Sequence, residues 1–595
     1  MNRPALLASA ASLLLASTSL AQWSKTTAVN HEFSPGSAIE KENLQVVRTE
    51  AGYLYVGWTE TNGSTTLRVQ CLEPNGEERY PATGVSPAIG LQVSEFSLTT
   101  DGSSALVKFV ANNGFGTDVN LRRVRLDGSQ ETIFSVTPFA DSIAPERTGR
   151  APHAITQDGQ IFVVEYEGGS QPVPNFLGQL RVARLDVTGN LLGVTTIDDS
   201  TSYEQELVAM VPSSDGGVFL VLEYTEQLTL LGLPVGLRVT KVAFDGSLPW
   251  GPEGRIVQVP LNQPLETRAV ADGTGGCYVA YKKSFAEVRL QRVMADGSTI
   301  WNDVPPDQGL VVSSMSCPLF LPDVAFDMGR DASTGRLWIA ALASCATGPP
   351  QLAVQAFLTD NTLAFGGGPL AVGNLLPFPG VFEPGLRLVA RNGGVEILAT
   401  TLTASESSVV RVVDNGQATL VAPSLSDQAP LDNDIEPTVP FIGMPFGDAA
   451  YVWLDAGRIF AQNVRADGSF GPAFGALARR TPPNPDSYTA IAGPIGGLAQ
   501  LSVDLTVTGH PFGVVYGYRE AASFTLPLTT SVILVNPLGS EVLFLPIGVG
   551  PTVTYDIPIP NVPALCGEAL YTQALHLGPG MPLLLSNAMD LYVGD

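Results

Sequence analysis

The sequence predicts an all-β chain: a β-propeller of eight blades, or seven with one loose N-terminal repeat discounted, followed by a C-terminal β-sandwich. Three observations carry this. An Asp-Gly-like turn recurs eight times, at Asn75-Gly76, Asp127-Gly128, Thr188-Gly189, Asp245-Gly246, Asp296-Gly297, Asp360-Asn361, Asn415-Gly416 and Asp467-Gly468. The steps between turns are 52, 61, 57, 51, 64, 55 and 52 residues, the period that a four-stranded blade leaves in a sequence. Short runs of alternating apolar and polar residues flank the turns, and no long stretch has helical periodicity with good helix formers. Composition agrees: 61 Gly and 46 Pro against 15% charged residues favour strands and turns.

The first element reads as an export signal. Met1-Asn2-Arg3 is short and positively charged, and Ala5 to Ser19 is apolar, about the length of a signal core and too short to span a bilayer. Small residues in Ser19-Leu20-Ala21 predict cleavage before Gln22, making 1–21 a signal peptide. No Cys follows the cut, so a lipid anchor is not expected, and no later stretch is apolar enough for a membrane span. The expected location is extracytoplasmic: secreted, periplasmic or at the cell surface. A formal charge of −25 and a pI near 4.5 leave no basic surface for nucleic acid. Dispersed acidity keeps a large β-protein soluble, and it can attract cations or basic partners.

The propeller is expected over residues 22–480. Trp23 to Val29 reads as a detached last strand that pairs into the final blade and closes the ring, which removes raw sheet edges. The fifth repeat shows the blade most clearly. Glu266 to Val270 is an inner strand, Gly276 to Tyr281 a second with Tyr278 and Ala280 on one face, and Val288 to Val293 a third. Asp296-Gly297 turns the chain, on the argument that a tight hairpin needs positive φ at both centres. Trp250 and Trp301 follow their turns, where a large ring fills the space between blades. Inserts at 168–178 and 227–236 are expected on one face of the ring, where binding residues collect.

Thr481-Pro-Pro-Asn-Pro-Asp486 reads as a linker, giving boundaries of 481–487 for the linker and 488–595 for the sandwich. Ser531 to Val535, Glu541 to Leu545 and Thr552 to Ile557 are its clearest strands. Ile557-Pro-Ile-Pro560, Pro563-Ala-Leu565, Gly567, Tyr571-Thr-Gln-Ala574 and Ser586-Asn587 together resemble a C-terminal domain common in large exported proteins of planctomycete-like bacteria. The resemblance covers about the last 110 residues and implies an accessory β-domain; it names no catalytic residue. Members often carry Gly-Cys where this chain has Gly539-Ser540, so the resemblance does not supply a partner for Cys566.

Five cysteines, an odd number, leave at least one without a partner in the chain. Cys317 and Cys345 lie in one repeat and are the candidate disulfide, while Cys71 and Cys277 sit in apolar strand patterns as small buried residues. None has zinc-ligand spacing. His31, His153, His510 and His576 form no metal pair or triad pattern, and Gly-x-Ser-x-Gly is absent. His153 reads as a strand-entry residue, and His510 and His576 as structural or exposed.

Chemistry would then fall to carboxylates at strand starts near the channel: Glu206, Glu266, Asp323, Glu383 and Glu436. Asp432, Asp434 and Glu436 offer hard oxygen ligands for calcium, and Asp327 to Asp331 with Ser333-Thr334 is a weaker case. A solvated turn is the favoured reading of either run. The turn series lacks the Asp-x-Gly spacing of a sialidase Asp-box. The leading expectation is a non-enzymatic binding or scaffolding module for a glycan or protein. A carboxylate-based glycosidase or polysaccharide lyase, and a structural part of an envelope assembly, are the alternatives.

Overall fold

The computed structural model describes Trp23 and residues 31–34, 39–112, 117–136, 154–167, 179–197, 203–226, 235–261, 266–284, 287–301, 308–314, 323–344, 351–365, 368–372, 376, 384–391, 393–401, 406–422, 440–455, 457–465, 467–480, 483–519, 521–525, 531–537, 542–562 and 565–594. The expected signal peptide, the Thr26 to Val29 strand and the 168–178 insert lie outside these residues.

Blade 5 sets the pattern. Thr267–Ala271, Cys277–Ser284, Glu287–Val293 and Leu310–Ser314 pair antiparallel in that order, from the channel outward. Blades 2, 3, 4, 6 and 7 repeat it, with inner strands Gln92–Thr100, Ala154–Gln157, Tyr203–Pro212, Asp323–Arg330 and Pro384–Arg391. Blade 1 has three strands, Glu40–Arg48, Leu54–Thr61 and Thr65–Leu72, with single bridges Val69 to Val85 and Leu72 to Glu78 outside them. Blade 8 has inner strands Phe441–Gly443, Ala449–Asp455 and Arg458–Val464. Its outer strand comes from the other end of the domain: His31–Ser34 pairs with Ile459 to Ala461. The ring therefore closes through an N-terminal strand, which among the described residues is His31–Ser34. Each inner strand neighbours the next, and that of blade 8 returns to blade 1.

Strand alternation explains why the ring holds. In the second strand of blade 5, Cys277, Val279 and Tyr281 pack against Phe219 and Val221 of blade 4. Tyr278 and Ala280, one residue out of phase, pack against Val324 and Phe326 of blade 6. Every blade thus serves two apolar cores, and eight such cores run around the ring between neighbouring blades. Trp250 stacks on Phe219 at 5.7 Å and donates from Nε1 to Ala295 O of blade 5, so it fills the inter-blade seam. Trp301 does the same between Tyr278 and Phe357. Cys71 and Cys277 are fully buried.

The recurrent turns have a different geometry from the one the sequence reading assumed. Only the second residue has positive φ: Gly76, Gly128, Gly189, Gly246, Gly297, Asn361, Gly416 and Gly468 lie between 68° and 92°. In each, the backbone closes as at Gly297, whose N–H donates to Met294 O at 2.8 Å while Met294 N–H donates to Ser298 O at 2.8 Å. This is a type I turn followed by a left-handed residue, the three-residue hairpin loop. The Asp therefore acts through its side chain: Asp296 Oδ1 accepts from Ser298 N and Oγ, and Asp127, Asp245 and Asp467 repeat this.

A second domain follows blade 8. One sheet contains Gly475–Arg479, Leu584–Tyr592, Ala569–Leu577 and Phe512–Tyr518, edged by Leu543–Phe544 and Gly548–Val549. The other contains Tyr488–Ile491, Leu498–Asp504 and Thr552–Pro558. Tyr488, Leu501 and Val503 of the second pack against Val515, Ala574, Met589 and Leu591 of the first, which makes a sandwich. Gly475–Arg479, expected at the end of the propeller, is an edge strand of this domain and pairs with Leu584–Tyr592. The Pro-rich segment after it is tied down. Asn484 bonds Val532 and Ser586 backbone, and Asn587 N–H donates to Pro485 O. The residues of the C-terminal motif are its staples. Gln573 joins Leu534, Tyr516, Val532 and Ser586, and Asn587 joins both Ser487 and Tyr488.

The sandwich rests on the face of the ring that carries the short turns. Tyr571 Oη donates to Glu73 of blade 1, which also accepts from Arg79 Nη1 at 2.5 Å. Asn75 Nδ2 donates to Gly567 O at 2.5 Å, and the Phe446 ring of blade 8 packs tilted against Tyr592, centroids 5.7 Å apart. Arg479 grips Asp590 with Nε at 2.8 and 2.7 Å from its two oxygens, over the ring of Tyr571. The starts of the inner strands lie at the other face.

Candidate functional site

Of the strand-start acids proposed from sequence, Glu266 alone has a described side chain. It immediately precedes the inner strand of blade 5. Glu206 lies within the inner strand of blade 4, its backbone opposite Glu223, and Asp323 starts that of blade 6, opposite Ser344. Glu383, Glu436, Asp432, Asp434, Cys317, Cys345 and His153 lie outside the described residues.

Glu266 meets guanidinium groups. Arg268 Nη2 donates to Glu266 Oε1 at 2.8 Å, and Arg268 Nε lies 3.6 Å from Asp327 Oδ1 on blade 6. Its guanidinium also lies over the Phe326 ring, 5.8 Å from the centroid. Asp327 reaches on: its Oδ2 accepts from Leu388 N of blade 7 at 2.9 Å. Blade 1 uses the same device without charge, because Gln45 Oε1 accepts from Leu98 N of blade 2 at 2.9 Å and its Nε2 donates to Phe96 O. Asp327 is thus an inter-blade staple whose other oxygen faces Arg268.

Arg387 completes the group. It sits one residue before Leu388 on the blade 7 inner strand, and Nη1 donates to Leu386 O at 3.2 Å. Burial pushes this guanidinium down from its ordinary value; Asp327 opposes that, Arg268 adds to it and Glu266 opposes it. All four residues stand on or beside inner strands whose channel-side edges carry no paired strand among the described residues. Two carboxylates and two guanidinium groups therefore stand on three successive inner strands, Glu266 and Arg268 near the start of one and Asp327 and Arg387 about midway along theirs. Such a set accepts from hydroxyls and donates to oxyanions. Sequence reasoning missed Arg268 and Arg387, since an Arg on an alternating strand reads as solvent-facing until ring closure shows which edge lines the channel.

Other polar groups have structural work. Asp101, Asp215 and Asp272, in turns at the opposite ends of inner strands, pair with Arg123, Lys241 and Arg292 of the third strand. Asp331 accepts from Ser333 N, Ser333 Oγ and Thr334 Oγ1, so the Asp327 to Asp331 run serves two separate purposes. No group of three or more His, Cys, Asp or Glu side chains spaced for a metal occurs among the described residues. In the sandwich, His576 Nε2 lies 2.8 Å from Ser487 Oγ, and Nδ1 lies 2.8 Å from Thr508 Oγ1. This serine–histidine contact is buried and its third member is a hydroxyl, so it has neither the access nor the orienting carboxylate of a hydrolase triad. Burial, with His510 beside it, holds His576 down at about 4.

No family model matches the chain, and no curated protein matches it. Among solved structures, prolyl oligopeptidase B from Galerina marginata is 8% identical over 70% of this chain and 55% of its own, with a TM-score of 0.38. The BP39L lectin from Burkholderia pseudomallei is 15% identical over 64% of this chain and 98% of its own, with a TM-score of 0.35. A quinonprotein alcohol dehydrogenase-like protein from Bacteroides thetaiotaomicron is 12% identical over 56% of this chain and 66% of its own, with a TM-score of 0.30. The chain spans about half the length of the oligopeptidase (55%). These likenesses are too distant to transfer an activity.

Proposed function

We propose that the protein is an exported, non-enzymatic binding module that takes a polyhydroxylated ligand, a glycan, into the channel mouth opposite the sandwich. The observation that carries this is the Glu266, Arg268, Asp327 and Arg387 group on the free edges of blades 5 to 7. Carboxylates and guanidinium groups held in place by their own bonds are the groups that hydroxyls and ring oxygens need. The sandwich occupies the other face and serves as an accessory domain. Export is supported by the apolar N-terminal stretch with its small-residue cut, and by the C-terminal resemblance.

An oligosaccharide array, paired with a reducing-sugar release assay, tests this. Binding without release is the expected result. Release would replace the module with a glycosidase or lyase using the same acids. Neither binding nor release would leave the envelope-assembly reading. N-terminal mass spectrometry of exported protein should begin near Gln22, and an intact Met1 form outside the cytoplasm would refute the signal.

A further inference from the structure

The geometry points to an acidic sugar as the ligand of this mouth, with Arg387 taking its carboxylate. This rests on the binding reading above and goes further, by naming the ligand's charge and the residue that selects it. The four charged groups are not equivalent. Arg268 is engaged by Glu266 at 2.8 Å and faces Asp327 at 3.6 Å. Asp327 has one oxygen bound to Leu388 N–H. Arg387, by contrast, has the carbonyl of its own neighbour Leu386 as its one hydrogen-bond partner among the described residues. A guanidinium has five N–H donors, so most of Arg387's remain for a ligand. They form a planar fork, which matches a carboxylate better than a lone hydroxyl.

The surroundings set the rest of the ligand. Asp327 Oδ1 and Glu266 lie on the Arg268 side of the group and accept hydrogen bonds, so they suit ring hydroxyls. A uronate combines the two, a carboxylate on a sugar ring whose neighbouring carbons carry vicinal hydroxyls. Burial already disfavours the charged form of Arg387. A carboxylate arriving there therefore acts in a partly dry site, where a charge-assisted bond is stronger than in water. The protein's overall charge of −25 works against anions at long range, so selectivity must come from this local contact.

The test is calorimetric titration of the full chain with oligogalacturonate, its methyl ester of equal length, and N-acetylglutamate. The ester keeps every hydroxyl and removes the charge, so the comparison needs no mutant. The expected result is affinity for the acid about tenfold or more above that for the ester, the size of one charge-assisted bond. Arg387→Ala should erase the preference, and Arg387→Lys should keep part of it. Arg387→Gln replaces the Ala variant if that one melts early. Equal affinity for acid and ester, or a preference that survives at Arg387→Ala, overturns the inference while leaving the glycan-binding reading intact. N-acetylglutamate binding as tightly as the uronate overturns the sugar half. Failure of every oligosaccharide on the array overturns the binding reading itself.

Discussion

The two faces of the ring are built for different purposes. On one, every blade ends in the same type I turn, with a glycine or Asn361 at positive φ. The surface is stereotyped, and the sandwich sits on it at blades 8 and 1 through the buried Glu73, Arg79 and Tyr571 contacts. On the other face the inner strands begin, the repeat is least regular, and charged side chains cross from blade to blade. Charges on the first face are buried and paired, so removing one is costly. On the second, Arg268 and Glu266 keep 26% and 31% of their side-chain surface exposed, so the loss of that pair costs less stability. The same residue types thus hold domains together on one side and remain available on the other.

The comparison makes graded predictions. Arg479→Ala should be the most damaging, because it strands Asp590, which is fully buried and whose carboxyl burial already pushes up against the pull of Arg479. Chemical denaturation should show a loss of about 3–5 kcal/mol. Arg268→Ala, in the inner-strand group of blades 5 to 7, should cost less than about 1 kcal/mol. Equal losses would erase the distinction between the faces.

Asn587→Ala comes next. It leaves Ser487 N–H, Tyr488 N–H and Tyr488 O without their side-chain partner, and a loss on the order of 3 kcal/mol is expected, confined to the sandwich transition. Gly297→Ala should cost about 1–2 kcal/mol. Its φ is 82°, and an added Cβ would meet Arg255 Nε at 2.6 Å. No change in the melting curve would mean that the turns do not hold the blades.

The smallest effects are on pH. His576 is held at about 4, below its ordinary value, by burial and by His510. Its contribution is therefore present above the unfolded value near 6.5 and is lost as pH falls toward 4. Glu77, beside the docked hairpin, is raised to about 7 by burial, then by Glu73 and Glu568. Its sign is opposite: the contribution is present below the unfolded value and is lost as pH rises from about 4.5 through 7. Glu77→Gln should stabilise the protein at pH 8 and leave it unchanged at pH 4, read by thermal melting. A gain at both would assign the effect to packing.

The ring was legible because one turn is repeated. The Asp-Gly series marked all eight blades, and the pattern that places Tyr278 and Ala280 together survived into the inter-blade cores. A second repeated signal was overlooked. Gln70, Gln291, Gln355 and Gln462 each stand five residues before their turn, and each side chain accepts from the next residue's N–H. The domain boundary was misplaced for a topological reason. Gly475–Arg479 follows the eighth turn just where a blade's outer strand should, but it leaves for the sandwich, and His31–Ser34 takes its place. The N-terminal closing strand was expected, but local sequence does not report that the displaced segment joins the sandwich. Nor could it report that a Pro-rich stretch is held by Asn484 and Asn587, which are distant in sequence from the groups they bind. The Arg268 and Arg387 pair was invisible for a similar reason, since closure of the ring brings blades 5 to 7 together.

Hydrogen exchange in the free, full-length protein tests the two-faced arrangement most directly. The blade 1 hairpin around Asn75-Gly76 and the blade 5 hairpin around Asp296-Gly297 close with the same backbone bonds, Gly76 N–H to Glu73 O and Gly297 N–H to Met294 O, both at 2.8 Å. They differ in the sandwich that covers the first. Amides of residues 72–79 should exchange about tenfold or more slowly than those of 293–299, as for backbone that opens only when a docked domain leaves. Equal exchange would contradict the account, because the sandwich would then not rest on blade 1 and the opposite mouth would have no claim to be the open one.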